Sequence, residues 1–210
     1  LKKDILLLLN ILSKKMFTGI IKNYGLLKKF KDNEIVIEIN HDKVINLGDS
    51  IACNGVCLTV SKIKDHLYSF NLSSETLNKT TFLKLKIDDL INIEFSARIG
   101  DENGGHNVTG HVHGVAIIND IKKNNQDWCF SFNLDEEIAQ YVIYKDSIAV
   151  NGISLTVSNF DKSLRCFEVS VIPFTFYNTN LKNLKIGDCV NIEVNMDAVR
   201  ISELMKRLNK

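Results

Sequence analysis

The chain has 210 residues, 45% of them hydrophobic, and 26 Lys+Arg set against 25 Asp+Glu give a formal net charge of +1. That size suits one or two domains that each bury a core, and charges spread along the chain leave no basic stripe to follow a phosphate backbone, which argues against nucleic acid as a partner. The five cysteines (Cys53, Cys57, Cys129, Cys166, Cys189) are odd in number and contain no C-x-x-C pair, the usage of reduced thiols in a cytosolic protein.

The first fifteen residues, LKKDILLLLNILSKK, stand apart from the rest of the chain. Their apolar run is interrupted by Asn10, ends in Ser13-Lys14-Lys15 and offers no small-residue cleavage site, and it is too short to span a bilayer. The expectation is an extension over residues 1–15 outside the fold, with Met16 as the start, no secretory signal and no membrane span.

Short runs rich in Val, Ile, Leu, Phe and Thr then recur between Gly, Asn and Asp: EIVIEI (34–39), SIACNG (50–55), CLTVSKI (57–63), LYSFNLS (67–73) and LINIEF (90–95). Several alternate apolar and polar residues with period two, the mark of half-buried strands. The polar, glycine-rich run Gly100–Gly105 comes next, and then the same pattern returns in SIAVNG (147–152), SLTVSNF (154–160), RCFEVSVI (165–172) and CVNIEV (189–194). The return is nearly literal. DSIACNGVCLTVS (49–61) reappears as DSIAVNGISLTVS (146–158) with ten of thirteen positions identical, and LKIDDLINIEF (85–95) reappears as LKIGDCVNIEV (184–194). A period near one hundred residues is too long for a solenoid or propeller and means tandem domains. Asn-Gly at 54–55 and 151–152 predicts tight hairpin turns, because both residues tolerate positive φ. The fold class expected is all-β: two tandem, similar, six-stranded antiparallel (Greek-key-like) barrels plus a C-terminal α-helix. The expected boundaries are 16–103 for the first barrel, 104–197 for the second and 198–210 for the helix.

Helical signals are few. Asp135–Tyr141 opens on acids and carries apolar residues at helical spacing. DAVRISELMKRLNK places Val199, Ile201, Leu204, Met205 and Leu208 near one face, with Asp197 as the N-cap. That face can pack on its own barrel or on the same helix of a partner subunit.

Three clusters carry chemistry. Cys57 and Thr59 in one copy, Ser154 and Thr156 in the other, are two apart on strands and so share a face; each pair suits either hydrogen bonding to a planar polar ring or ordinary satisfaction of an edge. GGHNVTGHVHG (104–114) holds His106, His111 and His113, open to three readings: surface histidines, zinc ligands with Cys57, or substrate binding and proton transfer. Ser73-Ser74-Glu75-Thr76 and Ile172-Pro173-Phe174-Thr175 come after the Asn-Gly blocks, and the latter contains the chain's single proline; each is a strand-end turn or a substrate-contacting loop. Nucleotide-binding glycine fingerprints and P-loops are absent.

MFTGII (16–21), NGVCLTV (54–60), GGHNVTGH (104–111) and NGISLTV (151–157), in this order, resemble the riboflavin synthase family from Met16 to the C-terminal helix. The resemblance implies that each barrel binds one 6,7-dimethyl-8-ribityllumazine. One molecule donates a four-carbon unit to the other, giving riboflavin and 5-amino-6-ribitylaminouracil, with no metal or redox cofactor. It also implies a cytoplasmic homotrimer joined through C-terminal helices, with each active site between the N-terminal barrel of one subunit and the C-terminal barrel of another. For the first barrel it implies Gly19, Ile20, Ile21, Cys57, Leu58, Thr59, the loop Asn71, Leu72, Ser73, Ser74, Glu75, Thr76, and Gly110, His111, Val112. For the second it implies Lys145, Ser154, Leu155, Thr156 and the loop Ile172, Pro173, Phe174, Thr175, Phe176, Tyr177. Phe17 is expected to pack at the site, His111 leads for proton transfer, and Cys57 and Ser154 lie near the rings to orient or add a nucleophile. One departure stands out: after the NIEV strand the family often has aspartate, and here Asn195 stands instead, with Asp197 two residues on. Two other readings compete: a lumazine- or flavin-binding protein without turnover, which needs only one competent barrel, and a β-barrel interaction module.

Overall fold

The computed structural model describes residues 16–98 and 100–208; the expected extension, Leu1–Lys15, lies outside the described residues. The first half folds as β1 (Asn23–Lys31), β2 (Glu34–Ile39), β3 (Ser50–Cys53), β4 (Val56–Lys64), β5 (Leu67–Asn71) and β6 (Leu90–Phe95). These strands close into an antiparallel barrel in the order β1-β2-β5-β4-β3-β6. The second half gives β7 (Gly114–Asn124), β8 (Asp127–Leu134), β9 (Ser147–Val150), β10 (Ile153–Asp161), β11 (Cys166–Val171) and β12 (Cys189–Val194), closed in the same cyclic order.

The period-two pattern is what buries each core. In EIVIEI, Ile35, Ile37 and Ile39 are fully buried while the residues between them are half exposed; each such side chain contributes about 1.5–3 kcal/mol relative to exposure. The first core is largely aliphatic around Phe70 and Phe82, whereas the second is built on Phe130, Phe132 and Phe167. Register shifts interrupt β1 between Leu27 and Lys29, β4 between Val60 and Lys62, β7 between Ile118 and Asp120, and β10 between Val157 and Asn159. Both barrels thus bend at equivalent places, and bulges supply the twist that a small barrel needs to close.

Asn54 (φ 46°) and Gly55 (φ 79°) form the expected two-residue turn, and Asn151 and Gly152 repeat its angles. The two turns meet back to back. A Cβ on Gly55 would lie 2.6 Å from the Gly152 nitrogen, and one on Gly152 would lie 2.7 Å from the Gly55 nitrogen. Around this contact, Asn92 Nδ2 donates to the Asn151 carbonyl (3.0 Å) and Asn191 Nδ2 donates to the Asn54 carbonyl (2.9 Å). The Asn191 and Asn92 side-chain oxygens accept from Thr81 N (2.8 Å) and Asn180 N (2.7 Å). Each barrel thereby satisfies buried polar groups of the other.

Two helices stand where a strand-end turn or a substrate-contacting loop was expected: α1 (Ser74–Lys79) and α3 (Pro173–Asn178), each running into a short 3-10 turn. Both are six residues long with no buried side chain, too short for an apolar stripe to register. Their start signals are legible all the same. Ser73 Oγ accepts from Thr76 N at 3.0 Å as an N-cap, and Pro173 opens α3, where its missing N–H is not needed. The expected helix near Asp135 is the short α2 (Glu136–Ala139). The C-terminal helix α4 spans Met196–Leu208, and its cap is Asn195 rather than Asp197. Asn195 Oδ1 accepts from Asp197 N (3.0 Å) while Asn195 Nδ2 donates to Asp146 Oδ1 (2.8 Å), a pairing of acceptor and donor that a carboxylate in its place could not make. Val199 packs on the second core, but Ile201, Leu204, Met205 and Leu208 are exposed.

These contacts set two expectations for stability. Gly48, at φ +88° with nothing within 4 Å of the place a Cβ would occupy, should tolerate alanine for ~1 kcal/mol of backbone strain, whereas Gly152→Ala adds a backbone clash and should lose about 3 kcal/mol or more in urea unfolding. Asn195→Asp replaces the amide donor by a carboxylate set against that of Asp146, so its urea unfolding midpoint should fall at pH 7.

Candidate functional site

Ahead of each barrel runs a short arm, and each arm crosses to the other barrel. Phe17 and Val108 pair through backbone bonds in both directions (2.9 and 3.0 Å), so the arms lie antiparallel between the barrels. Phe17 is fully buried there with Ala52, Val108 and Ala149, against Cys57. Beyond this pair the arms diverge. Gly19 O accepts from Ser154 N at 2.8 Å, and Ile21 is buried in the second core. Gly110 O accepts from Cys57 N at 2.9 Å, and Val112 packs on the first core. Gly19–Ile21, expected beside Cys57, therefore lie beside Ser154, because the arm exchange carries them across. Gly19 (φ +75°) and Gly110 (φ +79°) both need glycine: a Cβ on Gly19 would lie 2.6 Å from Ser154 Cβ, and one on Gly110 would strike Cys57.

The strand faces fall as period two requires. Val56, Leu58 and Val60 point into the first barrel, leaving Cys57 half-buried and Thr59 exposed; Ile153, Leu155 and Val157 do the same for Ser154 and Thr156. Leu58 and Leu155 are core residues that can offer a ligand only their backbone. The Val60↔Phe70 register carries Leu72 and the start of α1 toward the Cys57 end of β4. Leu72 is buried, Thr76 half-buried, and Asn71, Ser73, Ser74 and Glu75 are exposed. On the second barrel, Ile172, Phe174 and Tyr177 are exposed and Pro173, Thr175 and Phe176 are half-buried. Phe176 stacks on Trp128 at 4.0 Å and 4°, with Tyr177 edge-on to Trp128 at 5.4 Å. This aromatic wall has no counterpart in the polar α1 (SETLNK). Lys145 stands at φ 68° with its ammonium over the Tyr144 ring.

The histidines part company. His106 Nδ1 lies 2.7 Å from Ser154 Oγ, and burial pushes its imidazole below the ordinary range, with Asp146 pulling the other way. His111 is exposed, its N–H held by Thr109 Oγ1 at 3.2 Å, and His113 Nδ1 accepts from Val194 N at 3.3 Å. The rings of His106 and His113 bond to separate partners while the His111 bond is made by its backbone N–H, and the described residues contain no group of three or more His, Cys, Asp or Glu able to hold a metal ion. Sequence reasoning passed over the His106–Ser154 contact, Trp128, and the two glutamates that hold the arms, Glu94 and Glu193. The histidine signal was present in Gly105-His106, but a separation of 48 residues hides its partner. Among the described residues no helix is long and apolar enough to cross a membrane.

The family model described as "Lumazine binding domain" matches the chain twice, at residues 18–96 and 109–195. The chain is 39% identical to the riboflavin synthase of Actinobacillus pleuropneumoniae over 183 residues, 85% of this chain and 84% of that one. It is 33% identical to that of Escherichia coli K12, over 92% and 93% of the two chains. Among solved structures, LumP complexed with riboflavin superposes with a TM-score of 0.77 at 25% identity, covering 86% of this chain and 100% of that one. LumP complexed with 6,7-dimethyl-8-(1'-D-ribityl) lumazine gives 0.74 at 25%, covering 86% and 99%. With a doubled lumazine-binding match and end-to-end relatives above 30% identity, the chain belongs to the riboflavin synthase family.

Proposed function

We propose that this transferase seats one 6,7-dimethyl-8-ribityllumazine on each barrel and moves a four-carbon unit from one to the other, giving riboflavin and 5-amino-6-ribitylaminouracil. The observation that carries the reading is the duplicated site: a half-buried thiol or hydroxyl (Cys57; Ser154) flanked by a threonine on the same strand face and by a glycine arm from the other half. A reaction that consumes two copies of one substrate needs two similar seats, and fixing both rings removes the entropy of bringing them together. Cys57, Thr59, the start of α1 and Gly110–Val112 form one seat. Ser154, Thr156, Lys145, α3 and Gly19–Ile21 form the other, with the Trp128–Phe176 stack as an apolar wall.

Proton movement falls to His106 and Ser154 in the second seat, where a neutral imidazole 2.7 Å from a hydroxyl can take a proton from it. His111 keeps that role in the first seat, on the arm beside Cys57. The exposed apolar residues of α4 support a homotrimer in which seats on different subunits face each other. Five free thiols suit a reducing compartment, the cytoplasm. A chromophore-binding role without turnover is favoured less: identity to the riboflavin synthases is higher than to LumP, and both seats keep their polar groups.

The deciding assay mixes the chain from Met16 onward with the lumazine alone and follows riboflavin; one riboflavin per two lumazines supports the enzyme, and tight binding without turnover supports the chromophore holder. In the active protein Ser154→Ala should lower kcat by roughly 10²-fold. Because burial lowers the His106 pKa, the unfolded chain takes up that proton first on acidification. The stability that neutral His106 contributes is present above the ordinary imidazole value of 6.5 and is lost as pH falls through its folded pKa. Turnover should accordingly show an acid limb below the ordinary imidazole value that His106→Asn abolishes. Leu204→Asp should leave the barrels folded but give monomers by sedimentation that bind lumazine and turn over poorly; an active trimer would remove α4 from the interface.

A further inference from the structure

Each barrel contains one buried glutamate whose hydrogen bonds end in the other barrel's seat. Glu94, on β6, accepts from Thr18 N (2.7 Å) and Thr18 Oγ1 (2.8 Å) with one oxygen and from Gly19 N (3.0 Å) with the other. Glu193, on β12, repeats the pattern with Thr109 N (2.7 Å), Thr109 Oγ1 (2.8 Å) and Gly110 N (2.9 Å). Three donors converge on each carboxylate, an acceptor-only group when ionised, so no other side chain of this size satisfies all three. Desolvation pushes both carboxyls above their ordinary range against the pull of these bonds; a site that needed only packing would avoid that tension with an apolar residue.

The glycine held by each carboxylate is the one that touches the opposite seat. Gly19 gives its N–H to Glu94 and receives Ser154 N on its carbonyl; Gly110 gives its N–H to Glu193 and receives Cys57 N on its carbonyl. Side chains cannot intervene, because a Cβ at either glycine meets the seat residue. We infer that Glu94 and Glu193 are crossed positioning residues: Glu94, in the first barrel, sets the Ser154–His106 seat of the second, and Glu193, in the second, sets the Cys57 seat of the first. The inference rests on the reading of Cys57 and Ser154 as lumazine-contacting groups, and it makes each seat depend on the fold of both barrels.

Glu94→Gln and Glu193→Gln in the full chain test it, since the isosteric amide keeps the threonine bonds but turns an NH2 toward the glycine N–H. Two readouts need no turnover: the iodoacetamide alkylation rate of Cys57, resolved by peptide mass spectrometry with Cys189 as internal reference, and the NMR titration of the His106 ring. The expected result is a change of at least threefold in the Cys57 rate for Glu193→Gln with His106 unmoved, and a shifted His106 titration for Glu94→Gln with Cys57 unmoved. Effects confined to the glutamate's own barrel, or equal at both seats, would overturn the crossed assignment. If either variant fails to fold, Thr109→Val and Thr18→Val each remove one of the three bonds and should reproduce the crossed pattern at smaller size; its absence there also overturns it. A chain that shows the crossed pattern but makes no riboflavin would sink the enzymatic reading alone.

Discussion

The meeting of Gly55 with Gly152 is a backbone-to-backbone contact, and most of the molecule's organisation depends on it. Peptide groups at that separation exclude water, so each polar group pressed into the junction needs a protein partner or costs about 1–3 kcal/mol. Asparagine is the side chain that answers this, because one amide donates to a carbonyl of the opposite barrel while its oxygen accepts an N–H. Asn92 and Asn191 do this in mirror fashion, Asn180 closes further bonds to Asn54 and Asn92, and all of them are buried. The network fixes the two barrels at one separation and one orientation. The arms use that fixed relation, since Phe17 and Val108 can pair only if the barrel rims stay in register.

Exchanged arms change what a duplicated domain is. Each barrel closes its own hydrogen-bond ring, yet neither completes its own polar seat: the glycine beside Cys57 comes from the second half and the glycine beside Ser154 from the first. The exchange reaches the cores as well, since Ile21 of the first half is buried in the second core and Val112 of the second half packs on the first. Buried carboxylates are the means, because strong hydrogen bonds to an acceptor with no hydrogen of its own leave an arm only one pose.

The copies are alike where they touch and unlike around the proposed seats. The turn angles at Asn54 and Asn151 coincide, as do the glutamate contacts. Around the seats, by contrast, thiol stands against hydroxyl, and the polar SETLNK helix stands against PFTFYN with Trp128 behind it. In the proposed reaction one molecule gives up four carbons and the other receives them, and unequal seats are a means of assigning those two roles.

The near-literal return of DSIACNGVCLTVS, the period-two runs and the paired Asn-Gly turns made the doubled barrel legible in the chain itself, since all three are local patterns. The strand-face rule likewise put Cys57 and Thr59 on one face without coordinates, whereas the burial of Leu58, grouped with them as a site residue, came from the structure. Helical detail was legible less well: α1 and α3 are too brief for periodicity to reveal, and the α4 cap is Asn195 rather than Asp197, its amide also bonding Asp146. What the sequence by itself determined is the repeat, the barrel strands and the family motifs. Tertiary structure alone decided that the arms cross, that His106 rather than a nearer residue meets Ser154, and that Glu94 and Glu193 hold the glycines. The histidine and glutamate contacts join groups 48 to 84 residues apart and the arm contacts groups still farther apart, and no local propensity encodes contacts over such separations.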